Sequence, residues 1–315
     1  MKSKKQRRVA FVGLGDMGMG MAQNLLRAGF TVAGFDLLAK RRNLLKSAGG
    51  IPAASCGDAA QGAEVAFIMV MNGMQVMQAI ADKDGLLTSL PRGAVIVITA
   101  TIERDEAQAA AEVAAARGIP TVDAPVSGGL PGARDGRLTF MAAGPAATLR
   151  KVRPYLQAMG KTTHVVGNNP GDGQTVKAAL QAMLGGLYSS IFEAMTLGKK
   201  AGISDQVMHN VLTTSMASSP LVNNCVDLIV QRKFKNSGSQ IGTMYKDLGI
   251  TTNLARKVGA PLFATAAARE LFQAGITAFP GEDNWCVVKV LERLAGIADN
   301  NSVKAATKSA TSKKN

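Results

Sequence analysis

The sequence is poor in aromatic residues, cysteine and histidine. Aromatic side chains make up 4% of its 315 residues, and it holds three cysteines and two histidines. The cysteines are far apart and unpaired in pattern, which predicts a reducing, cytoplasmic environment and no disulfide framework. His164 and His209 lack the spacing of metal ligands, so we predict no metal site.

The chain also lacks a long uninterrupted apolar run. Its uncharged segment 178–192 is broken by Gln181, two glycines and two serines, whereas a membrane-spanning helix needs about 18 consecutive apolar residues. We therefore expect no membrane span. With 47% hydrophobic and 18% charged residues, the composition is typical of a globular protein, and its length predicts two domains.

Acidic residues are too few to balance the basic ones, and the net charge is +14. The excess lies at the ends, since the first eight residues carry five basic side chains, the last fifteen carry four, and neither end has an acid. About +5 remains without them. We predict solvated, disordered tails at 1–7 and 301–315 rather than nucleic-acid-binding arms. Neither has the apolar core of a signal peptide.

Short apolar runs alternate with helical patterns through the first half of the chain. The segments "VAFV", "TVAGF", "EVAFIMVM", "AVIVITA", "PTVDAPV" and "RLTFMAAG" predict strands. Such alternation is typical of a mostly parallel sheet covered by helices on both faces. After about residue 165 the strand patterns disappear and helical periodicity dominates, which indicates a second, all-helical domain.

A glycine turn joins the first predicted strand to the first helix. In "GLGDMG" Gly13 permits the tight turn, Gly15 lets the backbone approach a pyrophosphate, and Gly18 allows close packing of helix on strand. The N–H groups at the helix start then face the phosphates. We predict a dinucleotide-binding site made by the whole turn: Gly13, Leu14, Gly15, Asp16, Met17 and Gly18.

The fold prediction combines these patterns. We expect an α/β Rossmann dinucleotide-binding domain over 8–168, followed by an all-α domain over 169–300.

An acid ends the second predicted strand, 23 residues after Gly13. Asp36 is placed to accept hydrogen bonds from the adenosine ribose and to repel a 2′-phosphate, which favours NAD. Lys40, Arg41 and Arg42 follow it and could hold that phosphate instead, so NADP is the less favoured cofactor. A residue that only caps the next helix is the alternative for Asp36.

A serine and two glycines follow the predicted strand in "DAPVSGG". Ser127 offers a hydroxyl, and Gly128 and Gly129 offer bare backbone N–H groups, a combination suited to a carboxylate. A tight turn without a ligand explains the spacing equally well.

One lysine, Lys177, precedes the uncharged segment 178–192. A helix that is apolar all round predicts burial, and a lysine in a poorly hydrated site can exchange a proton near neutral pH. A snorkelling surface lysine is the alternative. Gln181 lies one helical turn later, on the same face, and could bind a substrate hydroxyl.

Four segments occur in an order known from one family. They are "FVGLGDMGMGMAQNLLRAGFTVAGFD", "DAPVSGG", "GDGQTVK" and "YKDLGI". Over residues 8–297 the chain resembles the β-hydroxyacid dehydrogenases, which are 3-hydroxyisobutyrate dehydrogenase-like proteins, and is most similar to their L-threonate dehydrogenase-like branch. The resemblance implies a Rossmann domain, a helical C-terminal domain and an active site in the cleft between them.

The resemblance also implies residue roles. Lys177 matches the family's catalytic lysine, and the loop 127–129 matches its substrate-carboxylate loop. Leu180 stands where most relatives have asparagine, which leaves the substrate open. Beyond the glycine turn and Asp36, the implied cofactor contacts are Val70, Met71, Thr101 and Lys246.

We therefore predict an NAD-dependent oxidoreductase that oxidises the hydroxyl of a small hydroxy acid, with a threonate-like four-carbon acid favoured. Within the family, we expect a homodimer or homotetramer. An NADPH-linked glyoxylate or semialdehyde reductase is the enzymatic alternative. The non-catalytic alternative is a nucleotide-binding scaffold with nucleic-acid-binding tails, against which Lys177 argues.

Overall fold

A computed structural model describes residues 7–297. Its nine strands are β1 (Arg8–Val12), β2 (Thr31–Phe35), β3 (Ile51–Pro52), β4 (Val65–Ile68), β5 (Val95–Ile98), β6 (Thr121–Asp123), β7 (Val126–Ser127), β8 (Leu138–Ala143) and β9 (Gly160–Gly167). They form one sheet in the order β3-β2-β1-β4-β5-β6-β8-β7, with β9 paired to β8. The first six strands in this order are parallel, whereas β8 runs antiparallel to β6 and β7.

Helices separate the strands and then fill the C-terminal part of the described chain. They are α1 (Asp16–Arg27), α2 (Ala39–Ser47), α3 (Cys56–Ala60), α4 (Gly73–Ala81), α5 (Arg104–Ala115), α6 (Gly129–Asp135), α7 (Ala146–Met159), α8 (Asp172–Lys200), α9 (Asp205–Thr214), α10 (Pro220–Val230), α11 (Ile241–Val258), α12 (Phe263–Ala278) and α13 (Val287–Leu294). None of these described helices is both long and apolar enough to cross a membrane.

Alternation along the strands builds a core on each face of the sheet. Val9 and Phe11 of β1 pack into one cluster with residues of α1 and α7, and Ala10 and Val12 pack into another with residues of α3, α4 and α5. The four side chains are at most 4% exposed. Burial on both faces explains why the strands are continuous apolar runs, and the predicted fold class is confirmed.

Two compact units divide the described chain between Leu180 and Gln181. The division lies inside α8, so it does not coincide with the boundary predicted at 168/169. The predicted burial of α8 on every side is wrong for one face. Three of its apolar residues, at intervals of seven and fourteen positions, are exposed: Val176 by 38%, Met183 by 64% and Leu197 by 71%.

The N-terminal tail is shorter than predicted. Arg7, assigned to the tail, pairs through Nε with Glu64 Oε2 at 2.9 Å and stacks over the Tyr155 ring. Its carbonyl also accepts a hydrogen bond from Thr31 N–H, so Arg7 continues the pairing of β1 with β2 at the amino end of β1. The remaining predicted tail residues, 1–6 and 301–315, lie outside the described residues.

Candidate active site

Four neighbouring strands end at the same level of the sheet. Val12 of β1 pairs in register with Ile68 of β4, Ile68 with Ile98 of β5, and Ile98 with Asp123 of β6. Because the strands are parallel, the chain leaves all four at the carboxyl edge, where ligands bind in such sheets. Predicted site residues follow these strands: the glycine turn, then Val70 and Met71, then Thr101, then Ser127.

The glycine turn leaves room for a ligand at one position only. Gly13 has a φ of +88°, and a Cβ on it would lie 2.1 Å from the Met69 carbonyl oxygen. A Cβ on Gly18 would lie 1.9 Å from the Gly13 carbonyl oxygen, whereas one on Gly15 would meet no heavy atom within 4 Å. The open space lies at the start of α1, whose N–H groups favour an anion. The turn therefore fits a dinucleotide pyrophosphate.

The Asp36 carboxylate is tied to the backbone of this turn. Leu14 N–H donates to Asp36 Oδ2 at 2.8 Å, and Leu38 N–H donates to Oδ1 at 2.9 Å. The contact with Leu38 is a local turn before α2, whose N-cap is Leu38 with no side-chain cap hydrogen bond. Each carboxylate oxygen has a further lone pair, so a ribose hydroxyl can still donate to it.

Two arginines of α2 lie next to this carboxylate. Arg42 donates through Nη1 to the backbone oxygen of Asp36, and Arg41 donates through Nη2 to Asp16 Oδ1 at 2.8 Å. Positive charge is therefore available where a 2′-phosphate would need it.

The other predicted cofactor residues of the first unit lie in the adjacent loops. Met71 is 54% exposed, and its N–H donates to Gln75 Oε1 at 2.9 Å. Thr101 lies between two residues that contact α8, since Ala100 and Ile102 both hydrogen-bond Gln174 through their backbones.

The loop after β6 depends on its two glycines. Gly128 and Gly129 have φ values of +127° and +58°, which favour glycine over residues with a Cβ. Ser127 pairs with Thr139 in β8, and α6 begins at Gly129. Carboxylate binding by the loop 127–129 stays a prediction.

Lys177 lies in the second turn of α8 and is buried, with 7% of its surface exposed. This burial differs from that of a snorkelling surface lysine. Lys177 belongs to the same compact unit as the glycine turn and the loop 127–129.

Gln181 and Lys246 belong to the second unit, where they contact one carboxylate. Gln181 Nε2 donates to Asp247 Oδ2 at 2.6 Å, and Lys246 Nζ lies 3.1 Å from Asp247 Oδ1. Because a carboxylate only accepts hydrogen bonds, the Gln181 amide must turn its NH₂ group toward Asp247. Its Oε1 is buried and has no hydrogen-bond partner among the described residues.

Sequence reasoning assigned no role to Asp123 and Gln174. Asp123 is fully buried, Gln174 is 2% exposed, and Gln174 Nε2 donates to Asp123 Oδ1 at 2.7 Å. Burial raises the pKa of Asp123 to about 6, although the N–H groups of Gln174 and the Gly171 backbone act in the opposite direction. An acid at the end of a buried strand was the available signal.

Two family models together span the described chain. Residues 8–167 match the NAD binding domain of 6-phosphogluconate dehydrogenase, and residues 171–291 match the NAD-binding model of NADP-dependent 3-hydroxyisobutyrate dehydrogenase. The chain belongs to the β-hydroxyacid dehydrogenase family. Membership confirms the predicted family, the dehydrogenase class and a nicotinamide dinucleotide as cofactor.

Individual β-hydroxyacid dehydrogenases are similar over most of their length. L-threonate dehydrogenase of Cupriavidus necator is 32% identical over 285 residues, covering 90% of this chain and 96% of the relative. 3-Hydroxyisobutyrate dehydrogenase of Pseudomonas aeruginosa is 37% identical over 270 residues, covering 84% of this chain and 90% of the relative. The crystal structure of 3-hydroxyisobutyrate dehydrogenase from Salmonella typhimurium has a TM-score of 0.83 at 32% identity and covers 90% of this chain and all of that one.

Within residues 7–297 of this β-hydroxyacid dehydrogenase, no group of three or more His, Cys, Asp or Glu side chains is placed to hold a metal ion. His209 contacts a single carboxylate, since its Nε2 lies 2.6 Å from Asp227 Oδ1.

Proposed function

We propose that the protein oxidises the hydroxyl of a small hydroxy acid with NAD, and that a four-carbon polyhydroxy acid such as threonate is the favoured substrate. The observation that carries the proposal is the burial of Lys177 in the unit that also holds the glycine turn and the loop 127–129. Burial of an ammonium costs desolvation free energy, and proton transfer is a function that uses a desolvated amine.

Different groups of the chain bind the substrate and transfer the proton. Ser127 and the N–H groups of Gly128 and Gly129 bind the substrate carboxylate, which fixes the acid relative to α8. Lys177 Nζ then accepts the proton of the hydroxyl that is oxidised. In the reverse direction the same nitrogen returns this proton to the oxygen of the carbonyl group being reduced. The nicotinamide ring, when bound, supplies the hydride acceptor.

The orientation of Gln181 supports a polyhydroxylated substrate. Asp247 engages its NH₂ group, so Gln181 offers an acceptor oxygen, and that oxygen is best matched by a donor such as a second hydroxyl. A methyl group at this place would leave the buried oxygen without a hydrogen bond, at a cost of about 1–3 kcal/mol. Relatives are named for acting on L-threonate, 2-(hydroxymethyl)glutarate and L-serine; each of these compounds has a carboxylate and a hydroxyl.

A spectrophotometric screen tests the proposed function. Purified protein is mixed with threonate, erythronate, glycerate, 3-hydroxyisobutyrate or L-serine and with NAD or NADP, and absorbance of the reduced nicotinamide is followed. We expect the highest kcat/KM for threonate with NAD. Turnover of glyoxylate or a semialdehyde with NADPH, without oxidation of any hydroxy acid, would establish the reductase alternative.

Cofactor choice is expected to depend on Asp36. Asp36→Ala should reduce the preference for NAD over NADP by at least about tenfold, or about 1.4 kcal/mol, because it removes repulsion of the 2′-phosphate. Arg41→Ala is the comparison variant, since it removes a contact with Asp16 and leaves Asp36 in place. Dissociation constants for both cofactors decide the matter. Tighter binding of NADP by the wild type would transfer the role to Arg41 and Arg42.

A homodimer or homotetramer also remains our proposal. It is supported by exposed apolar side chains on helices of the second unit, among them Met183, Leu197 and Phe263, the last being 86% exposed. Sedimentation or light scattering of the purified protein measures the assembly.

A further inference from the structure

Asp123 ends β6 and collects hydrogen bonds from the start of α8. Its Oδ2 accepts from Gly171 N–H at 2.9 Å and from Gln174 N–H at 3.0 Å, and its Oδ1 accepts from Gln174 Nε2 at 2.7 Å. The packing leaves no room for a side chain at position 173, since a Cβ on Gly173 would lie 2.8 Å from Asp123 Oδ2 and 2.5 Å from the Met141 carbonyl oxygen. The carboxylate therefore closes the first turn of α8 in place of an ordinary capping residue.

Gln174 extends this contact to the loop that follows β5. Its Nε2 also donates to the Ala100 carbonyl at 3.0 Å, and its Oε1 accepts from Ile102 N–H at 3.1 Å. The amide orientation is thus determined on both sides, by a carboxylate and a carbonyl that only accept and by an N–H that only donates. A buried network in which every member is paired is rigid.

Three predicted site segments meet in this network. Thr101 lies between the two backbone groups that bind Gln174, Ser127 follows Asp123 by four residues, and Lys177 follows Gln174 by three. The described structure thus joins the cofactor loop after β5, the carboxylate loop after β6 and the helix that carries Lys177 through two side chains. All of them belong to the first unit.

We propose that Asp123 and Gln174 are positioning residues that set the height and direction of α8, and so the place of the Lys177 amine relative to the loops that carry Thr101 and Ser127. The proposal rests on the proposed function of Lys177. Neither side chain needs to touch substrate. Their effect on turnover follows from geometry, because a displacement of about 1 Å in a reacting group can cost about a hundredfold in rate.

Asp123→Asn is the first test, because it keeps the shape of the side chain and replaces one acceptor oxygen by an NH₂ donor. If the introduced amide keeps its oxygen toward the backbone donors, its NH₂ group faces Gln174 Nε2, and two donors oppose each other. We expect kcat to fall about tenfold to a hundredfold, with a much smaller change in the KM for substrate. Hydrogen–deuterium exchange of residues 171–177 should accelerate, with exchange in β1 and α1 unchanged.

Three further variants sharpen the test. Gln174→Met keeps most of the volume, removes the amide and should reproduce the kcat loss even if Asp123→Asn fails to fold. In the double variant Asp123→Asn with Gln174→Glu, the introduced carboxylate accepts from the introduced amide and from Ile102 N–H. Only the contact with the Ala100 carbonyl then lacks a donor, so part of the lost kcat should be recovered. Tyr155→Phe is the control, since it removes a partly buried hydrogen bond to Glu64 at the opposite edge of the sheet and should leave kcat unchanged.

The outcomes separate the two proposals. Normal kcat in both Asp123→Asn and Gln174→Met, despite faster exchange in 171–177, would make the network structural only and overturn the positioning role. A kcat loss in Tyr155→Phe equal to that in Asp123→Asn would overturn it as well. Absence of wild-type turnover with every hydroxy acid would overturn the proposed function instead, and the exchange data would still show whether Asp123 holds the start of α8.

Discussion

Lys177→Ala is expected to lower kcat by about a hundredfold to ten-thousandfold, the usual range for removal of a positioned acid or base. Lys177 lies in the second turn of α8 and is 7% exposed. Dissociation constants for NAD should change little, because Lys177 is not among the predicted cofactor contacts. Lys177→Arg should also be inactive, since a guanidinium keeps its proton and its fork is wider than an ammonium.

The same helix offers a matched control. Lys199 of α8 forms ion pairs with Asp205 and Glu292, both at 3.0 Å, so Lys199→Ala should lower the melting temperature and leave kcat unchanged. Lys177→Ala should show the reverse pattern. Normal turnover by Lys177→Arg, or a lower melting temperature as the sole defect of Lys177→Ala, would show that Lys177 is a structural lysine.

Two glycines of the β1–α1 turn should respond to alanine in different ways. A Cβ on Gly18 would lie 1.9 Å from the Gly13 carbonyl oxygen, so Gly18→Ala must displace the turn and should lower both the melting temperature and cofactor affinity. Gly15 has open space and a φ of −63°, which alanine tolerates. Gly15→Ala should therefore keep the melting temperature while raising the Kd for NAD at least about tenfold, or about 1.4 kcal/mol.

Thermal unfolding and calorimetric titration with NAD measure these two effects separately. Gly15→Ala that binds NAD as tightly as the wild type would contradict the approach of the pyrophosphate at this position. Gly18→Ala with unchanged stability would contradict the close packing of α1 on the turn.

The first βαβ unit was predictable because its signals are local. The run "VAFV" lies within β1, the turn follows it, and the helix predicted after the turn is α1 (Asp16–Arg27). α1 begins before its apolar pattern does, because residues of the glycine turn form its first helical turn. The apolar pattern cannot indicate the start of a helix within that first turn.

Other elements were missed because their local signals were weak or misleading. α7 contains Pro154, which ordinarily ends a helix, and the sequence predicted no element there. β9 has one buried residue, Gly160, and owes its conformation to pairing with β8. Gly128 and Gly129 predicted a turn, but the α6 helix that follows them was not expected.

The sequence by itself predicted the fold class, a dinucleotide site at the glycine turn and Lys177 as the candidate acid or base, because each depends on residues close together in the chain. Tertiary structure alone decided which residues hold these segments together. Asp123 and Gln174 are 51 residues apart, Gln181 and Asp247 are 66 apart, and no periodicity or motif spacing encodes such contacts. They form because burial leaves each carboxylate in need of donors, and the folded chain brings an amide to it.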